Sequence, residues 1–151
     1  MNAKGQATIV VGTDGSAHAD RALAWALEEA KLRGAHLRIV SVWHVPAMVY
    51  GAPGFGSAAP VRMDETFRTV AEEAAAGAAE RARAAGVDVD ARVEQGQAAD
   101  VLVEAAADAD LLVVGSRGHG GFAGLLLGSV SAQCSHHAPC PLVIVPEGTA
   151  R

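Results

Sequence analysis

The sequence predicts an α/β fold: an open parallel sheet of five strands with helices on both of its faces. Short apolar segments of strand length alternate along the chain with longer segments whose apolar residues recur at helical spacing. The resulting order is βαβαβαβαβ, and parallel neighbouring strands need crossover connections of this kind. The 151 residues suit a single domain, and 50% of them are apolar, which is enough to build a core.

The first strand and the first helix are marked clearly. Ala7–Gly12 is a continuous apolar run that ends at the turn formers Thr13–Ser16. The helix that follows is amphipathic and stops at Gly34. Its apolar face is formed by Ala19, Ala22, Leu23, Ala26, Leu27 and Ala30. Leu37–Val45 then predicts the second strand.

A loop separates the second strand from the second helix. Pro46–Pro60 has three prolines, three glycines and no charge, so we expect a mobile loop within the domain, extending over residues 46–62. Met63–Ala85 predicts a helix that ends at Gly86. Its apolar face is expected to contain Phe67, Val70, Ala71, Ala74 and Ala78.

The second half of the chain continues the alternation. Val87–Val93 alternates strictly, which predicts an edge strand with one solvated face. A helix over Gln97–Ala107 leads to Leu111–Gly115, whose unbroken apolar run is typical of a strand buried on both faces. Gly121–His137 predicts the fourth helix, and Leu142–Val145 the fifth strand.

Composition excludes several classes of partner. Twelve basic and 17 acidic residues give a net charge of −5, and no Lys/Arg cluster is present, so neither a nucleic acid nor a membrane surface is expected. No apolar run approaches the roughly 18–20 residues that span a bilayer. Without a signal-like segment at the start, the expected location is cytoplasmic. Cys134 and Cys140 form neither a disulfide framework nor a zinc site and are expected to fill core space.

The most informative stretch is Val113–Val130, which has five glycines between residues 115 and 124. Glycines bring the backbone close to a ligand, and a helix starting after such a turn adds its positive end. Arg117 and the hydroxyl of Ser129 offer further phosphate contacts. The pattern predicts a phosphate cradle at the carboxyl ends of the strands, where ligands bind in parallel sheets. The alternative is a plain tight turn with helix caps.

Asp14 and the histidines also lie at candidate positions. Asp14 follows the first strand, where it either caps the helix and stabilises the turn or meets a ribose hydroxyl or a phosphate-bound cation. His119 lies within the glycine loop without a visible Asp or Ser partner, and His44 is assigned to packing. His136 and His137 suit the end of the last helix. No histidine is assigned a catalytic role, because a general base needs an oriented partner.

Neither of two familiar nucleotide-binding motifs applies to this sequence. A Walker A loop requires a lysine after its last glycine, and none follows these glycines. Gly118–Ala123 matches the dinucleotide pattern GxGxxA, but that fingerprint belongs after the first strand of the fold rather than the fourth. The usual lysine-assisted phosphoryl transfer is therefore not expected.

With these motifs excluded, the sequence resembles the universal stress protein family. That family's pattern G-x2-G-x9-G-S/T is met by Gly115, Gly118, Gly128 and Ser129. The endings VGTDGS of the first strand and HV of the second, and the closing CPLVIV, also resemble the family. The likeness covers nearly the whole chain, with Pro46–Pro60 as its least characteristic part.

The resemblance implies a Rossmann-like sheet of the adenine nucleotide alpha hydrolase type, with strand order 3-2-1-4-5. It implies ATP between the first and fourth strands: Asp14 faces the ribose, the backbone of Val45 meets the adenine, and Arg117 wraps the phosphates. The expected nucleotide-binding residues are Gly12, Asp14, Val45, Gly115, Ser116, Arg117, Gly118, His119, Gly120, Gly121, Gly128, Ser129 and Val130.

The expected function is that of an ATP-binding stress-response regulator, with Mg²⁺ accompanying the triphosphate. The loop Pro46–Pro60 is expected to order over the adenine when ATP binds. Leu142–Val145 is apolar throughout at an expected sheet edge, which predicts a homodimer that covers it. Two alternatives stay open: a slow ATP hydrolase of related topology, and a dimeric scaffold that needs no nucleotide.

Overall fold

The computed structural model describes residues 2–45, 59–118 and 127–148, with side chains from residue 63 onward in the second range. Nine elements follow one another in these ranges. They are β1 Thr8–Thr13, α1 Ala17–Arg33, β2 His36–Trp43, α2 Ala59–Ala84, β3 Val89–Gln95, α3 Ala98–Ala105, β4 Leu111–Gly115, α4 Ser129–His137 and β5 Leu142–Val145.

The strands form a parallel sheet in the order β3-β2-β1-β4-β5, which confirms the predicted topology. β1 pairs with β2 from Thr8 opposite His36 onward, and with β4 from Ile9 opposite Leu111 onward. The chain runs outward from β1 to β3 and then crosses to β4. The strand order therefore reverses between β1 and β4, and the connections that follow these two strands lead to helices on opposite faces of the sheet.

Helices cover both faces of the sheet. α1 and α2 pack on the face formed by Ile9, Val11, Leu37, Ile39, Leu111 and Val113. α3 and α4 pack on the opposite face, formed by Val10, Val40, Leu112 and Val114. Because successive residues of a strand point to opposite faces, the mainly apolar strands β1, β2 and β4 supply both cores at once.

The predicted apolar face of α1 is confirmed, whereas that of α2 is correct only at Ala71 and Ala78, since Phe67 and Ala74 are half-buried and Val70 is exposed. All six predicted residues of α1 are buried, and Ser16 caps the helix by accepting a hydrogen bond from the Ala19 N–H. In α2, Val70 is 52% exposed. The buried stripe of α2 runs instead through alanines: Ala71, Ala75, Ala78, Ala79 and Ala82.

Two element boundaries differ from the prediction for local reasons. Val87 follows the end of α2 and is not yet part of a strand, because Gly86 turns the chain with φ +76° and the Val87 N–H donates to Ala82 O in the last turn of the helix. β3 therefore starts at Val89. α4 begins at Ser129, because Gly128 is extended (φ −74°, ψ 172°) and donates its N–H to Ser116 O, while residues 119–126 of the predicted fourth helix lie outside the described ranges. Residues 46–58 of the predicted loop lie outside the described ranges, whereas its last four residues, 59–62, are not loop but the start of α2.

Candidate functional site

A cavity of about 680 Å³ opens at the carboxyl ends of β1, β2 and β4, where the strand order reverses. α3 and α4 supply its other walls. The sheet-facing part is lined by Gly12, Thr13, Val40, Val42, His44 and Val114, and the helix-facing part includes Ala98, Leu102, Ser129 and Val130. A site of this kind is expected at the switch point of an open parallel sheet.

One end of the cavity is apolar. Val40 and Val42 of β2 present the same face of the sheet, and Leu102 of α3 packs opposite them. A Cβ atom at Gly12 would lie 3.0 Å from Leu102 Cδ1, so the glycine allows this leucine to approach the end of β1. The result is a flat, apolar slot between the sheet and α3.

The other end of the cavity is polar and is built around Asp14. Its Oδ1 accepts a hydrogen bond from the Ser16 N–H at 2.9 Å, which stabilises the turn after β1. A Cβ atom at Gly118 would lie only 2.7 Å from Asp14 Oδ2. The carboxylate after β1 and the turn after β4 are thus in direct contact, and a methyl group at position 118 would have to displace the carboxylate from its present position.

The other two glycines of the motif are set by backbone packing. A Cβ atom at Gly115 would lie 2.9 Å from the carbonyl oxygen of His18 in α1. One at Gly128 would lie 3.3 Å from both Arg117 Cα and Ser116 O. Gly115 therefore permits the close packing of α1 on β4, and Gly128 permits the two ends of the glycine-rich stretch to meet.

The start of α4 adds hydrogen-bond donors to the polar end. Ser129 is its first residue and is exposed, and Ser129 and Val130 both line the cavity. The first N–H groups of a helix have no acceptor within the helix, and they carry the positive end of its dipole. Arg117 lines the cavity as well. This end is therefore suited to an anionic group.

The structure brings together most of the predicted site. Gly12, Asp14, Gly115, Arg117, Gly118, Gly128, Ser129 and Val130 all line the cavity. Two predicted residues have other positions in the described chain. Ser116 is buried beneath the turn, where its N–H donates to Val145 O, and His44 rather than Val45 lines the cavity at the end of β2. His119, Gly120 and Gly121 lie outside the described residues.

Ser131 is a part of the site that sequence reasoning missed. Its hydroxyl is buried and donates toward Ser116 O at 2.9 Å and Gly128 O at 3.1 Å. The available signal was a second serine two positions after the motif's last residue, Ser129. That spacing places it in the first turn of α4, facing back toward the turn after β4.

The remaining candidates lie away from this cavity. His136 and His137 are in the last turn of α4, as expected. Cys134 is fully buried in the core of the α3/α4 face, and Cys140 packs against the same core. Burial raises the pKa of both thiols, and the charge of Asp110 raises that of Cys140 further.

The described residues offer neither a cluster of metal ligands nor a membrane-spanning helix. No three His, Cys, Asp or Glu side chains within them are grouped as the ligands of a metal ion would be. Among the helices of the same ranges, none combines the length and the apolar character that crossing a membrane requires.

An open parallel sheet with a cavity at the reversal of its strand order defines a doubly wound, Rossmann-like α/β protein. Within that class, residues 7–146 match the pattern of one family. The chain belongs to the universal stress protein family.

Individual relatives agree with this assignment. A universal stress protein of Mycolicibacterium smegmatis is 39% identical over 137 residues, which cover 91% of this chain and 45% of the relative. A Thermus aquaticus protein, "Universal stress protein in QAH/OAS sulfhydrylase 3'region", is 36% identical over 140 residues, covering 91% and 97%. The chain thus spans less than half of the first relative and nearly all of the second.

A solved structure extends the comparison to three dimensions. The crystal structure of a universal stress protein in complex with cAMP is 34% identical to this chain, with a TM-score of 0.67. The match covers 95% of this chain and 98% of that protein. The likeness therefore extends over nearly the whole of both chains.

Proposed function

We propose that this protein binds ATP in the cavity between β1 and β4 and acts as a nucleotide-dependent regulator in the stress response. The observation that carries the proposal is the division of the cavity into an apolar slot and a polar end rich in hydrogen-bond donors. A nucleotide has the same division, with a flat base at one end and phosphates at the other. Its ribose would lie between them, next to Asp14.

The apolar slot suits the adenine ring. Val40, Val42 and Leu102 offer apolar contacts on both sides of a planar base, and the cavity's 680 Å³ falls within the roughly 300–1,000 Å³ typical of small-molecule sites. A relative that shares this fold at 34% identity was crystallised with an adenine nucleotide, cAMP. This supports the same class of base here.

The polar end suits a polyphosphate. The first turn of α4, the Ser129 hydroxyl and Arg117 lie around one part of the cavity. Backbone N–H groups and a guanidinium group stabilise phosphate oxygens by charge-assisted hydrogen bonds. Several phosphates gain more from this arrangement than one does, which favours ATP over AMP as the ligand.

We also propose that Mg²⁺ enters with the triphosphate. Mg²⁺ commonly keeps several waters and binds through substrate phosphates and about one or two carboxylates. Asp14 is the carboxylate that lines the cavity within the described residues, and its Oδ2 lies beside Gly118 in the turn. We assign Asp14 first to the ribose, so phosphate oxygens of the nucleotide and water molecules would supply most of the ligands of the ion.

The proposed assembly is a homodimer in the cytoplasm. β5 is the last strand of the sheet and pairs with β4 on one side. Its residues Leu142–Val145 are apolar and only partly buried in one copy of the chain. A second copy would cover this edge and prevent its open-ended association. Sedimentation should give a dimer; a monomer at micromolar concentration would contradict this part of the proposal.

The test is nucleotide binding by the wild type and by Gly118→Ala. ATP at about 100 times its Kd should stabilise the fold by about 2.7 kcal/mol, measured as a thermal shift, and NADH should not. In Gly118→Ala the new methyl group meets Asp14 Oδ2 and displaces this carboxylate from the position proposed for the ribose contact, so the ATP shift should be lost. Calorimetric titration gives the Kd of each protein.

A matched control separates the site from the general effect of a glycine substitution. Gly77 lies within α2, and a Cβ atom there would have no atom within 4 Å, so Gly77→Ala should keep wild-type ATP binding. A wild type without any ATP shift would leave the nucleotide-independent scaffold as the better description. ATP-dependent phosphate release that Asp14→Ala abolishes would favour the slow hydrolase.

A further inference from the structure

The carbonyl oxygen of Ser116 is a meeting point for the two ends of the glycine-rich stretch. It accepts a hydrogen bond from the Gly128 N–H at 2.7 Å and a second from the Ser131 hydroxyl at 2.9 Å. The Ser116 N–H donates to Val145 O at 2.9 Å, which fixes this residue to the end of β5. The end of β4 and the start of α4 are therefore joined at the carbonyl group of Ser116, and we call this connection the Ser116 junction.

The Ser131 hydroxyl donates its proton within the Ser116 junction. Ser131 is only 2% exposed, and its Oγ lies 2.9 Å from Ser116 O and 3.1 Å from Gly128 O. A serine hydroxyl has one proton to donate, and carbonyl oxygens only accept. That proton is shared between two protein carbonyls, so although Ser131 lines the cavity, its hydroxyl does not donate to a phosphate and acts on the ligand through the backbone that it holds.

The junction sets the separation of two groups of phosphate-facing residues. Arg117 and Gly118 directly follow Ser116, while Ser129 directly follows Gly128. All three line the cavity. Holding the two backbone segments together before the ligand arrives removes an ordering cost that binding would otherwise include.

We propose that Ser131 is a positioning residue that sets the affinity for the phosphates of the nucleotide by holding the turn after β4 against the start of α4. This inference rests on the proposed function, because it assigns a further residue to the same site. It concerns the phosphates alone. The apolar slot of Val40, Val42 and Leu102 lies on other elements and does not depend on the Ser116 junction.

The chain offers a matched control in the same helix. Ser135 also donates its hydroxyl to a backbone carbonyl, that of Ala132, but it is exposed and the bond stays within α4. Ser131→Ala and Ser135→Ala therefore remove the same group from the same helix. Only the first variant removes a bond between α4 and the turn after β4.

The experiment measures ATP and adenosine affinity by calorimetric titration in the wild type and both variants. Ser131→Ala should bind ATP about tenfold more weakly, because the loss of about one hydrogen bond leaves the phosphate-binding backbone less ordered before the ligand binds. The same variant should bind adenosine as the wild type does. Ser135→Ala should match the wild type for both ligands. Ser131→Thr, which keeps the hydroxyl, should retain ATP binding.

The outcomes separate this inference from the proposed function. If the wild type binds ATP and Ser131→Ala binds it equally well, or loses ATP and adenosine affinity alike, Ser131 is not a positioning residue for the phosphates. A wild type that binds neither ligand overturns the proposed function, and this inference with it. If Ser131→Ala does not fold by circular dichroism, Ser131→Cys replaces it, since a thiol is a weak donor of similar size.

Discussion

Gly115 at the end of β4 lies directly beneath the carbonyl of His18 in the first turn of α1. A Cβ atom at position 115 would be 2.9 Å from that oxygen and 3.2 Å from the carbonyl oxygen of Arg117. Both neighbours are backbone atoms, which cannot move aside as a flexible side chain can. The first glycine of the family motif is therefore required by the packing of α1 on the sheet, whatever the ligand contributes.

Gly115→Ala should consequently destabilise the fold itself. Forcing a methyl group into a closely packed site costs about 1–3 kcal/mol, which should appear as a lower urea midpoint with an unchanged m-value in the absence of any ligand. Gly77→Ala has open space for its methyl group and replaces glycine inside a helix, so it should be neutral or stabilising. Equal midpoints for Gly115→Ala and the wild type would show that the strand end adapts without cost.

The sequence predicts the sheet and its helices because the signals for them are local. The mainly apolar composition of β1, β2 and β4 predicts that these strands are buried on both faces of the sheet. The start of α4 cannot be predicted in this way. Its position depends on Gly128, which precedes the helix and donates its N–H to Ser116 O, twelve residues earlier in the chain. A bond of that separation has no signature in helical periodicity.

The candidate site shows the same limit. The glycine pattern and the position of Asp14 are visible in the sequence, and both line the cavity. The contact of Asp14 with Gly118 and the bond of Ser131 to Ser116 join residues that are far apart in the chain or that look like ordinary helix positions. They depend on how β1, β4 and α4 meet, which only the folded arrangement determines.

His36 should control the ionisation of Asp88 at the amino ends of β2 and β3. Its Nδ1 lies within hydrogen-bond distance of Asp88 Oδ2, at 3.0 Å, and its Nε2 lies within hydrogen-bond distance of Asp90 Oδ1. The hydrogen bond from His36, followed by the charge of Lys4, holds the pKa of Asp88 below its ordinary value. His36→Ala should therefore raise the pKa of Asp88 toward about 3.9, as followed by carboxyl NMR titration.

Lys4→Ala is the matched comparison for this ionisation. Lys4 Nζ lies 3.6 Å from Asp88 Oδ2, and the lysine side chain is 73% exposed, so solvent screens its effect. Its removal should raise the pKa of Asp88 less than the removal of His36 does. A larger rise in Lys4→Ala would mean that charge, and not the imidazole hydrogen bond, dominates at this position.

Asp110 should make the fold sensitive to acid. Its Oδ2 accepts a hydrogen bond from the Thr8 N–H at 2.8 Å, and this bond lowers the pKa of the carboxyl group. A lowered folded-state pKa adds stability above the unfolded value of about 3.9, and that stability is lost as the pH falls through the folded value. Urea unfolding from pH 6 to pH 2 should therefore show a falling free energy of unfolding below about pH 4.

Asp110→Asn isolates the contribution of this carboxylate. The amide oxygen still accepts from Thr8 but does not titrate, so the free energy of unfolding should fall less steeply between about pH 4 and pH 2 than in the wild type. Measurement at pH 7 checks that the variant is folded. An unchanged slope would indicate that other carboxylates, such as Asp108 with its pKa lowered by Arg38, account for the acid sensitivity.

The two thiols should differ in reactivity although burial raises the pKa of both. Thiolate is the nucleophilic form, so the native protein should react slowly with a disulfide reagent at neutral pH. Cys140 is partly exposed, whereas Cys134 is fully buried in the core that α3 and α4 share, so Cys140 should react first and Cys134 only on unfolding. Cys140→Ser should remove the native-state reaction, and Cys134→Ala should leave it unchanged. Equal native rates at both positions would mean that α4 opens locally and exposes Cys134, and a wide enough opening would also break the bond of Ser131 to the Ser116 junction.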